Sequence, residues 1–438
     1  MQDLRGVNYS QLNEKELLEN SLYVKHALLK TGVAFKDRKA GEVPWLVSPS
    51  PFHISPTQGE QLQKIGETVF IFIDAIQALY AEGEPTVRQF LDMNISPELR
   101  GAALEKPIET FRLDVIIKNG NDYITEIEEC YGTFGILCAM EIAYNIAFER
   151  FFESFSEREL QWVYLDDAAP FRKFDINLLV NRLKKTFGLE VKQTQFSQFS
   201  LHHQGTAFRF CYTHNLVQYP IDKRNEIISS ANRFFNPPFH GFASKAMLAL
   251  AHVSSISGEL ISKMGQERFN LLRQTVPETR LIELGEDPQP LYDNHQKLLL
   301  KVVSCPGGQE FEWGSRGVYF GTDGKPKWKN YVDAAVSGKI PYSSKWKNVR
   351  YIISNYVESD RFDVPFLHPI TNELALMTKA RTRLGPIFFR NQGKVELVGG
   401  EATFVNTSKK VHIGHHAVCV PLQLQAQMPF NGGFSIVE

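Results

Sequence analysis

Residues 112–129 read RLDVIIKNGNDYITEIEE, with Arg112 and Asp114 two apart and then Glu126 and Glu128 two apart. Residues two apart on a strand share a face. Asn119-Gly120 between two alternating apolar runs predicts a β-hairpin at about 111–129. Folding there sets the two pairs opposite each other. Three carboxylates on one face repel unless something positive neutralises them. Mg2+ is the usual oxygen-liganded solution. Taken alone, the hairpin reads at least as well as a solvated polar face with an Arg112–Asp114 ion pair.

Three later segments carry further candidate chemistry. LLLKVVSCPGGQEFEWGSRGVYFG (298–321) places Lys301 on a strand before a loop holding Gly307, Gly308, Gly314, Ser315, Arg316 and Gly317. Glycines let backbone N–H groups curl around phosphate oxygens, and a nearby lysine adds charge. No G-K-[ST] opens a helix, so this is not a Walker A loop; a bulged hairpin turn is the alternative. RYIISNYVESD (350–360) reads as a strand entering a hinge whose backbone could meet an adenine edge, or as a plain buried strand. NPPFHGFASKAMLALA places Lys245 near a helix start, where an isolated lysine is ordinarily solvated. His412, His415 and His416 have no Cys or carboxylate to complete a zinc set.

The elements that must position these residues alternate in kind. Helical spacing marks 14–29 and 61–83, with a Pro/Ser-rich surface loop at 44–56 between them. A helix at about 135–155 follows the hairpin. Strand, helix, strand, strand, helix over 158–235 predicts a Rossmann-like α/β layer. Strand signals dominate from about 298 onward. The chain thus reads as α/β (α+β). Its expected parts are a helical region at 1–110, the hairpin and helix at 111–157, the α/β layer at 158–235 and a larger β-rich part at 236–438.

The 438 residues carry 48 Lys+Arg against 49 Asp+Glu, a balance that disfavours wholesale nucleic-acid or anionic-membrane binding. No apolar run is long enough to span a bilayer. A polar, acidic start is unlike a targeting peptide, and a cytoplasmic location is expected. Cys130, Cys138, Cys211, Cys305 and Cys419 show no C-x-x-C pairing and are expected to be reduced. The apolar stretch 61–83 is either core or a homodimer face.

Taken in order, the four segments resemble the circularly permuted ATP-grasp enzymes, relatives of glutathionylspermidine synthase. That family carries an R-x-D strand, an E-x-N strand, an N-P…N-K-A-L-L segment, a K-P strand, a Gly-rich loop and a Q-E-Y hinge. The counterparts here are Arg112 and Asp114, Glu126 and Glu128, Asn236-Pro237 with Ser244-Lys245-Ala246-Met247-Leu248, Lys301, Gly314-Ser315-Arg316-Gly317-Val318, and Ser354-Asn355-Tyr356-Val357-Glu358. The match runs over about 110–420 as scattered motifs. Three positions depart: Glu128 stands for Asn, Val302 for the Pro after the lysine, and Ser354-Asn355 for the Gln-Glu pair.

The resemblance implies an ATP-grasp-like fold in permuted order and an ATP-dependent carbon–nitrogen ligase. It implies ATP and Mg2+, with Asp114, Glu126 and Glu128 on one or two metal ions. Lys245 and Lys301 would meet α/β-phosphate oxygens, and Gly314, Ser315, Arg316 and Gly317 the β/γ end. Asn355, Tyr356 and Val357 would meet adenine. Arg112 and a late arginine, Arg381 in preference to Arg383, would stabilise the transferred phosphoryl. The partners implied are a small-molecule acceptor and an amine or amino acid. Mycosporine-glycine synthesis is one candidate setting; a kinase without ligation and a non-catalytic ATP binder are the alternatives. No amidase-like segment with a catalytic Cys precedes the hairpin.

Overall fold

The computed structural model describes residues 13–33, 42–93, 95–102, 104–129, 131–167, 172–304, 317–343 and 346–424. Its largest sheet has seven strands: β1 (Phe52–Ile54), β2 (Thr110–Lys118), β3 (Asn121–Glu128), β11 (Arg361–Leu367), β12 (Leu374–Asn391), β13 (Lys394–Val405) and β14 (Val418–Leu424). They run in the order β1-β14-β13-β12-β2-β3, with β11 also paired to β12. Among the late strands β12 is 18 residues long. It is long enough for β11 to pair with its first half and β2 with its second.

Alternation along these strands decides which side each residue faces. Phe111, Leu113, Val115, Leu384 and Phe388 join a core built with α2 (Pro56–Glu82), α8 (Ser257–Met264) and α9 (Gln266–Thr275). Ile387, Phe389 and Cys419 join the opposite core with α1 (Glu14–Thr31), α4 (Phe134–Tyr144) and α5 (Glu149–Ser156). The sheet is therefore covered on both faces by helices. The stretch 61–83 is spent on this core, since α2 buries Leu62, Ile65, Val69, Phe72, Ile73 and Ile76.

The hairpin turns at Asn119 and Gly120, with φ 52° and 75°, the left-handed pair a two-residue type I′ turn requires. Register places Asp114 opposite Glu126 and Arg112 opposite Glu128. Ile124 and Ile127, three apart, both reach the core because a bulge shifts the register between Asp114 and Val115. Without it, one isoleucine would exchange places with a carboxylate.

A parallel three-stranded sheet, β5-β4-β6, comprises β4 (Leu160–Leu165), β5 (Lys192–Gln195) and β6 (Thr206–Phe210). It lies with α6 (Arg172–Phe187) and α7 (Ile221–Ser229). An antiparallel four-stranded sheet, β7-β10-β8-β9, comprises β7 (Thr279–Leu281), β8 (Leu298–Ser304), β9 (Val318–Phe320) and β10 (Arg350–Asn355). It has its own core around Trp328 of α11 (Lys325–Val336). The short helices α3 (Pro85–Leu91) and α10 (Gln289–Asp293) complete the set.

Several local readings change. The 44–56 stretch is not a surface loop: Val43, Trp45 and Val47 are buried. Leu46 bridges Val418, Val47 bridges Leu367, and β1 runs parallel to β14. Its prolines cap an edge and do not mark a solvated excursion. The helix expected over 135–155 breaks into α4 and α5, because Asn145 adopts φ 49° and ends α4 in the left-handed conformation. The helix expected at 244–253 is a 3₁₀ segment, Met247–His252, whose residues 247–251 are all buried. Cys138, Cys211 and Cys419 are buried thiols outside any disulfide among the described residues; Cys130 and Cys305 lie outside the described residues. Among the described residues no helix is long and apolar enough to cross a membrane.

Candidate functional site

The seven-stranded and four-stranded sheets line one cavity of about 380 Å3, and α6 and the segment after β6 add to it. The large sheet supplies its charged wall. Arg112 of β2 donates through Nη2 to Asp114 Oδ1 at 3.0 Å and pairs with Glu128 Oε2 at 2.7 Å. Arg383 of β12 donates through Nη1 to the other Asp114 oxygen at 2.8 Å. Asp114 is thus clamped between two guanidiniums. Burial raises the cost of its charge, but Arg383 and Arg112 outweigh burial and hold the carboxyl below its ordinary range. For Glu128 burial wins, and its carboxyl is pushed up.

A fourth carboxylate lies behind these. Glu401 of β13 is 0% exposed, and its Oε1 is 3.5 Å from Arg112 Nη1 and 3.9 Å from Arg383 Nη2. Burial pushes its carboxyl up, against the pull of Arg112 and Arg383. The sequence reading missed it. The one signal was a charge inside an apolar run, VELVGGEATFV.

The lysines sit against the returning strand of the hairpin. Lys245 Nζ is 3.6 Å from Glu126 Oε1. Lys301 of β8 donates to the Thr125 carbonyl at 2.6 Å. Its ammonium pKa falls to about 8, first through burial and then through Lys245, with Glu126 and Asp114 resisting. Gly317 is buried at the start of β9. Gly314, Ser315 and Arg316 lie outside the described residues, so the Gly-rich loop does not enter the geometry.

The four-stranded sheet and its neighbours add a less charged end, with Val276, Leu299, Phe320, Ile352, Ser354, Asn355, Tyr356 and Val357 on the cavity lining. Tyr356 meets Phe320 edge-on, ring centroids 5.5 Å apart. Two hinge N–H groups are already used within the protein: Asn355 donates to Glu278 O at 2.9 Å and Tyr356 to Lys297 O at 2.7 Å. Arg381 also lines the cavity, but Glu358 binds it at 3.1 Å and its Nη1 donates to Ser408 O at 3.3 Å. Of the two late arginines it is Arg383 that shares Asp114 with Arg112.

Thr133, Arg172, Asp175 and Tyr212 also line the cavity, none of which the motifs singled out. Asp175 accepts from Gly135 N at 2.7 Å and Ile136 N at 3.1 Å. Burial lifts its carboxyl to about 7 despite the Arg172 charge and these two amides. His412 lines the cavity, whereas His415 and His416 do not enter its lining.

The fit to a divalent cation can be judged from the donors. Asp114, Glu126 and Glu128 share the cavity, but Asp114 and Glu128 are held by guanidinium and Glu126 faces an ammonium. Among the described residues no group of three His, Cys, Asp or Glu is placed to hold a metal. As arranged, these side chains do not fit Mg2+. What the arrangement offers a ligand is two arginines and two lysines, each beside a carboxylate or carbonyl of the hairpin, next to an apolar patch.

No protein-family model matches the chain, and no curated protein matches it. Among solved structures, a glutathione synthetase-like effector from Globodera pallida in the apo form superposes with TM-score 0.57 at 12% identity, covering 96% of this chain and 99% of that one. A proposed gamma-glutamylcysteine synthetase from Methylobacillus flagellatus covers 84% of this chain and 90% of that one at 11% identity. Its TM-score of 0.39 is too low to support an argument. The mixed α/β architecture described above is therefore that of the glutathione synthetase-like effector.

Proposed function

We propose that the chain is an ATP-dependent ligase of the circularly permuted ATP-grasp type, joining a phosphoryl-activated small-molecule oxygen acceptor to an amine or amino acid. The observation that carries this reading is the cavity itself, where Arg112, Arg383, Lys245 and Lys301 converge beside the apolar slot of Ile352, Phe320 and Tyr356. Phosphoryl transfer asks a protein mainly for positioning and charge stabilisation. ATP would lie with its base in the slot and its phosphates between the lysines and arginines. Arg112 and Arg383 would stabilise charge developing on the transferred group. Thr133, Arg172 and Tyr212 would face the acceptor. A cyclohexenone oxygen displaced by glycine, as in mycosporine-glycine formation, is one acceptor chemistry of the right kind; a carboxylate is the other.

A screen of metabolite pools for ADP formation, with product masses recorded, tests the proposal. Amine-dependent ADP release with a C–N adduct is expected, falling at least tenfold in Asp114→Asn. Phosphorylated product without an adduct would leave a kinase. The arginine-held carboxylates favour a second reading, a nucleotide binder without turnover; ATP binding with no ADP in any pool would select it.

Lys301 sets a pH dependence for this binding. An anion is held by the ammonium form, so ATP affinity should be flat below pH 8 and weaken above it, by up to about tenfold per pH unit. Stability should move the opposite way. With the folded value near 8, the cost of burying this charge is fully present below pH 8. It is relieved as pH rises towards the unfolded value near ~10.4. Calorimetry with ATP from pH 7 to 9.5 checks the first statement, and a flat profile would contradict it.

A further inference from the structure

Asp114 and Glu128 already balance the charges of Arg112 and Arg383 without Glu401. A carboxylate with no exposure, which accepts no hydrogen bond from another described residue's side chain or backbone, is costly to keep unless its charge is used. The fold makes room for it deliberately. Gly385 is its cross-strand partner, and a Cβ added there would stand 2.4 Å from Glu401 Oε1. From that slot the carboxylate reaches one Nη of Arg112 and one of Arg383, on the side away from Asp114's bonds.

We propose that Glu401 is a positioning residue that holds Arg112 and Arg383 as one rigid pair at the cavity wall, so that both meet the same anionic group of a bound ligand. This rests on the ATP-dependent reading for the identity of the ligand, but not for the arrangement of the pair. Each guanidinium has two ends and a flexible stem. Asp114 hydrogen-bonds one end of each, with Glu128 sharing that end of Arg112, and Glu401 holds the other ends by charge alone, at 3.5 and 3.9 Å. Remove that charge and each planar fork is freer to turn about its bonds at the Asp114 end, so simultaneous contact with one phosphate is lost.

Glu401→Gln separates this from simple electrostatics. The amide fills the same volume but presents an NH2 group to one guanidinium. Removing a negative charge should by Coulomb's law tighten ATP binding; loss of positioning should weaken it. We expect calorimetry to show a roughly tenfold weaker Kd for ATP in Glu401→Gln, partly restored in Glu401→Asp, with no fall in melting temperature. In nitrogen-15 spectra of the protein without nucleotide, the Nε–H protons of Arg112 and Arg383 should exchange at least tenfold faster in Glu401→Gln than in the unsubstituted chain. Gly385→Ala, which keeps the charge but displaces the carboxylate, should give the same acceleration. Unchanged arginine exchange in both variants, or unchanged or tighter ATP binding in Glu401→Gln, would overturn the proposal. If the unsubstituted chain does not bind ATP, the ligase reading fails, and the exchange measurement still decides the role of Glu401.

Discussion

Arg209→Met is expected to destabilise the fold by about 3–5 kcal/mol, the cost of stripping one partner from a buried ion pair. Arg209 is 2% exposed and leans on four acceptors. It donates to Asn236 O at 2.8 Å, to Pro237 O at 2.9 Å, to Cys211 O, and to the carboxylate of Glu129, itself 1% exposed. Asn236 continues the clasp: its side chain donates to Thr110 O at 2.8 Å and Glu129 O at 2.7 Å and accepts from the Glu109 and Thr110 amides. Together they rivet the three-stranded sheet to the start and end of the hairpin. Chemical denaturation followed by tryptophan fluorescence would measure the loss. Arg209→Met with Glu129→Gln should recover more than half of it, because the stranded charge is gone. A loss below about 1 kcal/mol in the single variant would show that water reaches Glu129 and that the clasp is not dry.

Lys301→Met is expected to leave stability within about 1 kcal/mol while lowering ATP affinity roughly 30–100-fold. The two halves have different causes. Met fills the buried path of the lysine stem and removes a charge whose burial already depresses its pKa, at the cost of one hydrogen bond to Thr125 O. Such a bond is worth about 1 kcal/mol net, whereas a charged contact to phosphate is worth about 1.5–3 kcal/mol. The fall in ATP affinity above pH 8 should also disappear in this variant. If Lys301→Met binds ATP as tightly as the unsubstituted chain, the lysines do not face the phosphates, and the nucleotide end of the cavity must be reassigned.

The hairpin was legible because its information is local. Period-two spacing, an Asn-Gly turn and opposed pairs lie within 18 residues, and the observed register pairs the same residues. The bulge that keeps both isoleucines inside was not legible, though their three-residue spacing hints at it. The neutralising cations were harder. Arg383 and Glu401 reach Asp114 and Arg112 only after the chain has closed a sheet across more than 260 residues, and no local pattern distinguishes Arg381 from Arg383. Both lie on one long strand, and a partner's identity, Glu358 against Asp114, separates them. The 44–56 stretch misled for a related reason. Proline and serine usually mark solvent, but here they edge a strand buried by residues near 367 and 418.

The pairing of Arg383 with Asp114 also fixes when the cavity can come into being. During synthesis Asp114 leaves the ribosome 269 residues ahead of Arg383, roughly 13–54 s at ~5–20 residues per second. Glu401 and the strand that seats β1 emerge later still. Until then Asp114, Glu128 and Arg112 carry their charges on an unfinished sheet edge, in water and not in a dry wall. The α/β layer at 158–235 can form in the meantime from contacts between near neighbours, which assemble fast. The charged wall is a late product of translation, and the newborn chain passes through a long stage in which it has much of its secondary structure but no site.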